Sequence, residues 1–208
     1  MASSLKNARF TRLRLALLLG LLVFVRLYAW RKMPRSVPGI AFRGGQSQNL
    51  KLDKIPFYQQ SDGRWGADKL AKTADPLASV GCTITSVSMG LARFGIDLPP
   101  DRLNQALNKK QGYTSQGWLV WHKIGEVAPV ALEVPEKPSH EIIDKALQKG
   151  WPVVANVLIE ENVQHWILIT GKQGQDYLIN DPLGAKPGEL LSKFKSQIYA
   201  IRILKQRG

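Results

Sequence analysis

The chain has 208 residues, 29 Lys and Arg against 16 Asp and Glu, a formal net charge of +13 and one cysteine. At 44% hydrophobic and 22% charged, it is neither a disordered chain nor one embedded wholly in a membrane. A lone cysteine excludes an intrachain disulfide, and with it a disulfide-built scaffold or a multi-cysteine metal site.

The charge is unevenly placed. The first acidic residue is Asp53, and the 52 residues before it hold ten bases. The remainder carries 19 bases against 16 acids, so the basic character belongs to an N-terminal extension and not to a nucleic-acid-binding domain. Residues 1–14 form a basic segment. Residues 15–30 are an apolar run interrupted by Arg26, about 24 Å long as a helix, with Tyr28 and Trp30 suited to a membrane interface. No small-x-small cleavage site follows, so a single-pass signal-anchor helix is expected. A cleaved signal peptide is the alternative, and a basic amphipathic or buried helix is the plainer one. Bases on both flanks leave the orientation weakly set. Residues 31–51 read as a linker, because Pro34, Pro38, Gly39, Gly44 and Gly45 break any periodic pattern. The folded domain is expected over 52–208.

Within that domain, Ile55–Gln60 reads as an extended entry segment and Ser61–Ser79 as a loop with a turn at Asp62-Gly63. A helix is predicted from Cys82 to Phe94. Ile84, Val87, Leu91 and Phe94 form its apolar stripe, small residues fill the other side, and Gly95 follows its end. Further helices are predicted over Pro100–Leu107, Trp118–Val127 and Glu141–Lys149, the last capped by Ser139 and ended by Gly150. The pattern then changes to strands at Pro152–Ile159, Gln164–Thr170, Asp176–Asn180 and Gln197–Leu204. Gly171–Gly174 is the expected hairpin turn between the second and third. Helices first and consecutive strands later is an α+β pattern.

Few residues in this layout can carry chemistry. Cys82 starts a helix directly after Gly81, where the helix dipole favours a thiolate; as a small buried hydrophobe it would need no function. His165 opens an apolar strand, where a general base would be rigidly held, or where a histidine simply ends a strand. His122 and His140 read as surface residues. Asp181 closes the strand that should return beside His165, so its carboxylate can fix the imidazole tautomer; Asn-Asp-Pro is also ordinary turn chemistry. Gln60 offers a side-chain amide donor. There is no HExxH, no phosphate-binding glycine loop and no nucleophile elbow at Ser86–Gly90.

Several segments together resemble the peptidase-family-39-like domains, relatives of the papain-like cysteine peptidases named for bacteriocin leader peptidases. They are Ile55–Asp62 with Trp65, Ser79–Ser86, Gly112–Trp121, Gly150–Val154, His165–Gly171 and Ile179–Pro182, in order over about residues 54–183. The resemblance implies a papain-like fold, with the nucleophile helix packed on a mainly antiparallel sheet. It implies Cys82 as nucleophile, His165 as general base, Asp181 as orienting acid and Gln60 as oxyanion donor. Thr83 stands where many members have glycine, and the gap from Gln60 to Cys82 is longer than in the leader peptidases proper. The expected activity is thiol-dependent hydrolysis of peptide bonds at a membrane, with no metal or organic cofactor, a peptide or protein substrate, and the catalytic domain on the outer face. The competing expectation is an inactive papain-like module that binds without cleaving.

Overall fold

In this computed structural model, residues 38–160 and 163–207 are described. The expected membrane helix at 15–30 lies outside them. Among the described residues no helix is long and apolar enough to cross a membrane.

Among the described residues, five α-helical segments and six strands follow in chain order: β1 (Arg43–Lys51), α1 (Leu77–Val80), α2 (Cys82–Ala92), α3 (Pro100–Lys109), α4 (Ile124–Val127), β2 (Val130–Glu133), α5 (His140–Gln148), β3 (Val153–Ile159), β4 (Val163–Asn180), β5 (Glu189–Leu190) and β6 (Ala200–Gln206). The strands make one antiparallel sheet in the order β1-β4-β3-β6-β2, with β5 added alongside β4. Side chains alternate across it. Val154, Leu168 and Leu204 join the cluster around α2 and α3, whereas Val153, Ala155, Ile167, Ile169, Ile201 and Ile203 join Ile143 and Leu147 of α5. Both faces are covered, which is why these strands read as almost unbroken apolar runs.

The central helix α2 is buried continuously from Ile84 to Leu91. Its small residues let it approach the sheet: a Cβ on Gly90 would collide with Leu204. Ser86 Oγ donates to the Trp166 carbonyl at 3.1 Å, fixing the height of α2 against β4 next to His165.

Three expectations change. First, the stretch read as a linker contributes β1, and Ile40 already bridges Ile198. Its sequence is polar and glycine-bearing, so no alternation announces it. Partners far along the chain create the strand instead. Lys172 Nζ donates to the Gly44 carbonyl at 2.8 Å and to Asp144 Oδ1 at 2.6 Å, and the Gln46 amide donates to Asp144 Oδ2 at 2.7 Å. His140, read as a surface residue, is half-buried here, with Nδ1 2.8 Å from the Tyr177 hydroxyl. Second, no helix spans Trp118–Val127. A 3-10 turn (Trp121–Lys123) leads into the single turn α4, and Tyr113 bridges Leu119. The tryptophans line a cavity instead of forming a helical stripe.

Third, the two strands expected around Gly171–Gly174 form the single 18-residue element β4. It pairs with β3 through Val163–Ile169, with β1 through Gly171–Asp176 and with β5 through Leu178–Ile179. An extended strand would hold His165 and Asp181 about 50 Å apart at about 3.3 Å per residue. Their side chains touch, so β4 doubles back between them. Thr170 Oγ1 reaches the Leu178 carbonyl at 3.3 Å across the reversal, and Gly174 takes φ +62°.

The Lys172–Asp144 pair is almost wholly removed from water. Asp144→Ala is expected to destabilise the domain by about 3 kcal/mol, because it strands a buried ammonium. Adding Lys172→Met should recover part of that loss, as read from urea denaturation midpoints.

Candidate active site

Gly81 and Cys82 form the junction between α1 and α2. Gly81 is needed there: a Cβ would sit 2.5 Å from the Leu77 carbonyl oxygen, to which the Gly81 amide donates at 2.7 Å. Glycine also offers no side chain to cap α2. The partial positive charge at that helix end is therefore presented to the Cys82 sulfur.

His165 lies on β4 opposite Val157 and is 2% exposed. Its Nε2 is 2.6 Å from Asp181 Oδ1, and the ring is also hydrogen-bonded to Cys82. With Nε2 committed to the carboxylate, Nδ1 is the nitrogen left for sulfur. Phe194 packs edge-on against the imidazole with centroids 6.0 Å apart. Burial opposes a charge on His165, but the Asp181 hydrogen bond and the Cys82 hydrogen bond and negative charge outweigh it, raising the pKa to about 9. An imidazolium at neutral pH in turn favours thiolate at Cys82.

Asp181 is itself held on three sides. Burial pushes its pKa up, but hydrogen bonds from His165, Lys193 and the Leu183 amide, with the His165 charge, bring it down to about 2. Oδ1 takes His165 and the Leu183 amide, the latter at 2.9 Å, and Oδ2 takes Lys193 Nζ at 2.6 Å. Lys193 also reaches Glu189 Oε2 at 2.9 Å. Lys193 is absent from the sequence-based set, since a lysine twelve positions after an Asn-Asp-Pro turn carries no spacing signal.

Gln60 ties the two halves together. Its backbone amide donates to the Pro182 carbonyl at 3.0 Å, and its Nε2 donates to the Ala78 carbonyl at 2.7 Å. One side chain thus spans the Asp181 loop and the turn before Cys82. Its buried Oε1 has no partner among the described residues. The neighbouring bonds from Gln59 to the Gly184 carbonyl (2.8 Å) and from Asn180 to the Pro56 carbonyl (3.2 Å) lace the same segments.

The structure therefore brings Cys82, His165 and Asp181 together and anchors Gln60 to the segments carrying two of them. It leaves His122 exposed and His140 on α5, and among the described residues no cluster could hold a metal ion. Beside Cys82 opens a cavity of about 310 Å³, with Trp121, Trp166, Tyr113 and Ile84 in its wall. A cysteine hydrogen-bonded to a buried imidazolium and lining an apolar cavity is the arrangement that nucleophilic attack on a bound carbonyl requires.

Two pH effects follow from these shifts. His165 is raised above its ordinary 6.5, so its contribution to stability is complete below that pH and disappears as pH climbs through about 9. Asp181 is depressed below its ordinary 3.8, so its contribution is present above that pH and disappears as pH falls through about 2. Urea midpoints should accordingly fall off on both sides of the window between these ordinary values. Asp181→Asn should lower the His165 pKa by about one unit or more. An imidazole NMR titration still centred near 9 would contradict the assignment.

The Peptidase_C39 like family matches residues 52–202. A crystal structure described as that of a C39-like peptidase from Bacillus anthracis is similar to this chain, with a TM-score of 0.53, 15% identity, and coverage of 77% of this chain and 99% of that one. At such identity the likeness concerns the fold alone, a mixed helix and antiparallel-sheet architecture. No curated protein matches the sequence. The matched span opens just after β1 and closes inside β6, taking in both sides of the cleft; the chain belongs to the Peptidase_C39-like family.

Proposed function

We propose that the chain is a cysteine peptidase that hydrolyses peptide bonds through an acyl-enzyme, held at a membrane by residues 15–30. The observation that carries the reading is the imidazole of His165, bonded on one side to Asp181 and on the other to Cys82 at the start of α2.

The Cys82 thiolate attacks the carbonyl carbon of a peptide bond. The negative charge passes to the carbonyl oxygen, where the Cys82 backbone amide and the second N–H of Gln60 Nε2 can receive it. The tetrahedral adduct collapses as imidazolium His165 gives its proton to the leaving nitrogen. A thioester and a free amine result. Neutral His165 then takes a proton from water, hydroxide adds to the thioester, and the carboxylic acid leaves with thiolate and imidazolium restored. Asp181, kept ionised by Lys193 and the Leu183 amide, holds the ring orientation throughout.

Placement at the membrane rests on the apolar run at 15–30 with its flanking bases, and on the absence of acidic residues before Asp53. In this reading the protein is single-pass, and the outward side is assigned to the catalytic domain because a cysteine-poor domain follows a signal-like segment.

Alkylation by iodoacetamide at pH 6 should modify Cys82 at least about tenfold faster than a free thiol of ordinary pKa, since thiolate is already formed. His165→Ala should abolish that advantage; a wild-type rate no greater than a free thiol's would refute the activated pair. Turnover of a peptide library should vanish in Cys82→Ala, and Gln60→Ala should lower kcat about 100-fold. Resistance of the full chain, and not of one lacking residues 1–30, to alkaline extraction from membranes tests the anchor.

A further inference from the structure

The cavity beside Cys82 is walled mainly by aliphatic and aromatic side chains, and no Asp or Glu among the described residues lines it. Arg202 does line it. This arginine comes from β6 and sits against a pair of touching indoles, its Cζ 5.0 Å from the Trp121 ring centroid and 5.5 Å from that of Trp166, with the two centroids themselves 5.0 Å apart. Nη1 donates to the Ile201 carbonyl at 2.7 Å. Nε is shielded from water without a hydrogen-bond partner, and no carboxylate of the described residues pairs with the guanidinium. Other buried or half-buried cations behave differently: Lys172 pairs with Asp144, Lys205 with Glu133, Lys123 with Glu126 and Arg93 with Asp53. Burial lowers the Arg202 pKa, the direction expected of a cation lacking a counter-charge.

A half-buried guanidinium with no counter-ion is costly for folding alone. Stacking on indoles offsets part of that cost but leaves the charge unneutralised. Arg202 is itself half-buried with a shielded Nε, so an anion entering there would meet a partner less screened than one in bulk water.

The geometry points to a carboxylate subsite: Arg202 receives an anionic group of the substrate, and the residue lodged beside Cys82 is one with an apolar stem ending in a carboxylate. This rests on the peptidase reading above and names its substrate class. A glutamate or aspartate side chain and a free peptide C-terminus carry the same chemistry.

The decisive experiment uses the full chain in detergent, with Cys82→Ala to prevent turnover, in about 0.15 M salt. Three N-acetylated dipeptides are titrated against tryptophan fluorescence, which Trp121 and Trp166 report from the cavity wall: Leu-Glu amide, Leu-Gln amide, and Leu-Gln with a free C-terminal carboxylate. One of the carboxylate peptides should bind at least about tenfold more tightly than the all-amide peptide, about 1.4 kcal/mol. Which one does so identifies the source of the anion. Adding Arg202→Gln should bring the ratio to about one, and Arg202→Lys should keep part of it. Equal affinities for the three peptides, no binding of any of them, or an undiminished preference in the Arg202→Gln protein would each overturn the subsite and leave Arg202 a stacking residue. The alkylation rate of Cys82 requires no occupant of the cavity, so failure of the peptidase reading remains separately visible.

Discussion

The return of β4 upon itself is the constraint on which the site depends. His165 and Asp181 are sixteen residues apart, yet a 2.6 Å bond joins them. The reversal that permits this needs a backbone able to turn at Gly174 and a sheet willing to accept the doubled strand on both flanks. β3 pairs with the arm bearing His165, and β1 and β5 pair with the reversal and the far end. Pairing on both flanks holds the doubled strand in place. Ser86 then sets α2 against the same strand beside His165, so the sulfur meets a ring whose position is already fixed.

The electrostatics follow the same order. A buried imidazole would ordinarily lose its proton, and a buried carboxylate would ordinarily keep one. Here each reverses the other's tendency, and Lys193 with the Leu183 amide tips the carboxylate further towards charge. The result is a line of alternating charge from Lys193 through Asp181 to His165, which ends against Cys82. Its outer end is half open to solvent and its centre is dry. Gln60 closes the arrangement mechanically, because its backbone and side chain grip opposite sides of the cleft.

Much of this was legible in the chain. α2 was visible because its apolar stripe and its small residues were both local signals, and its start at Cys82 matches the predicted start. The pairing of His165 with Asp181 was legible because strand period and a glycine-bearing turn together fix which ends meet. β1 was not legible: Gln46, Ser47 and Gln48 have no apolar alternation, and the strand exists through Lys172, Asp144 and the rungs of β4, contacts more than a hundred residues away in most cases. The aromatic spacing at Trp118, Trp121 and Ile124 was helical by period, but tertiary demand overrode it, because these rings serve a cavity opposite Trp166. Lys193 and Arg202 were invisible for a related reason. A cation's meaning depends on whether the fold supplies it an anion, and that is a property of no local window.

The irregular pairing of β1 reaches beyond the local fold. Among the described residues β1 is the outermost strand on its side of the sheet, and its register slips between Arg43 and Gln48, where Gly45 takes φ +69°. A slipped, polar rim makes a poor template for another extended backbone. Foreign chains are thus discouraged from adding themselves as an extra strand at that rim. It also means that an unfolded polypeptide gains little by zipping onto that border. On the peptidase reading proposed above, selection among polypeptides would then fall to the side chains inside the cleft and not to backbone pairing at that border.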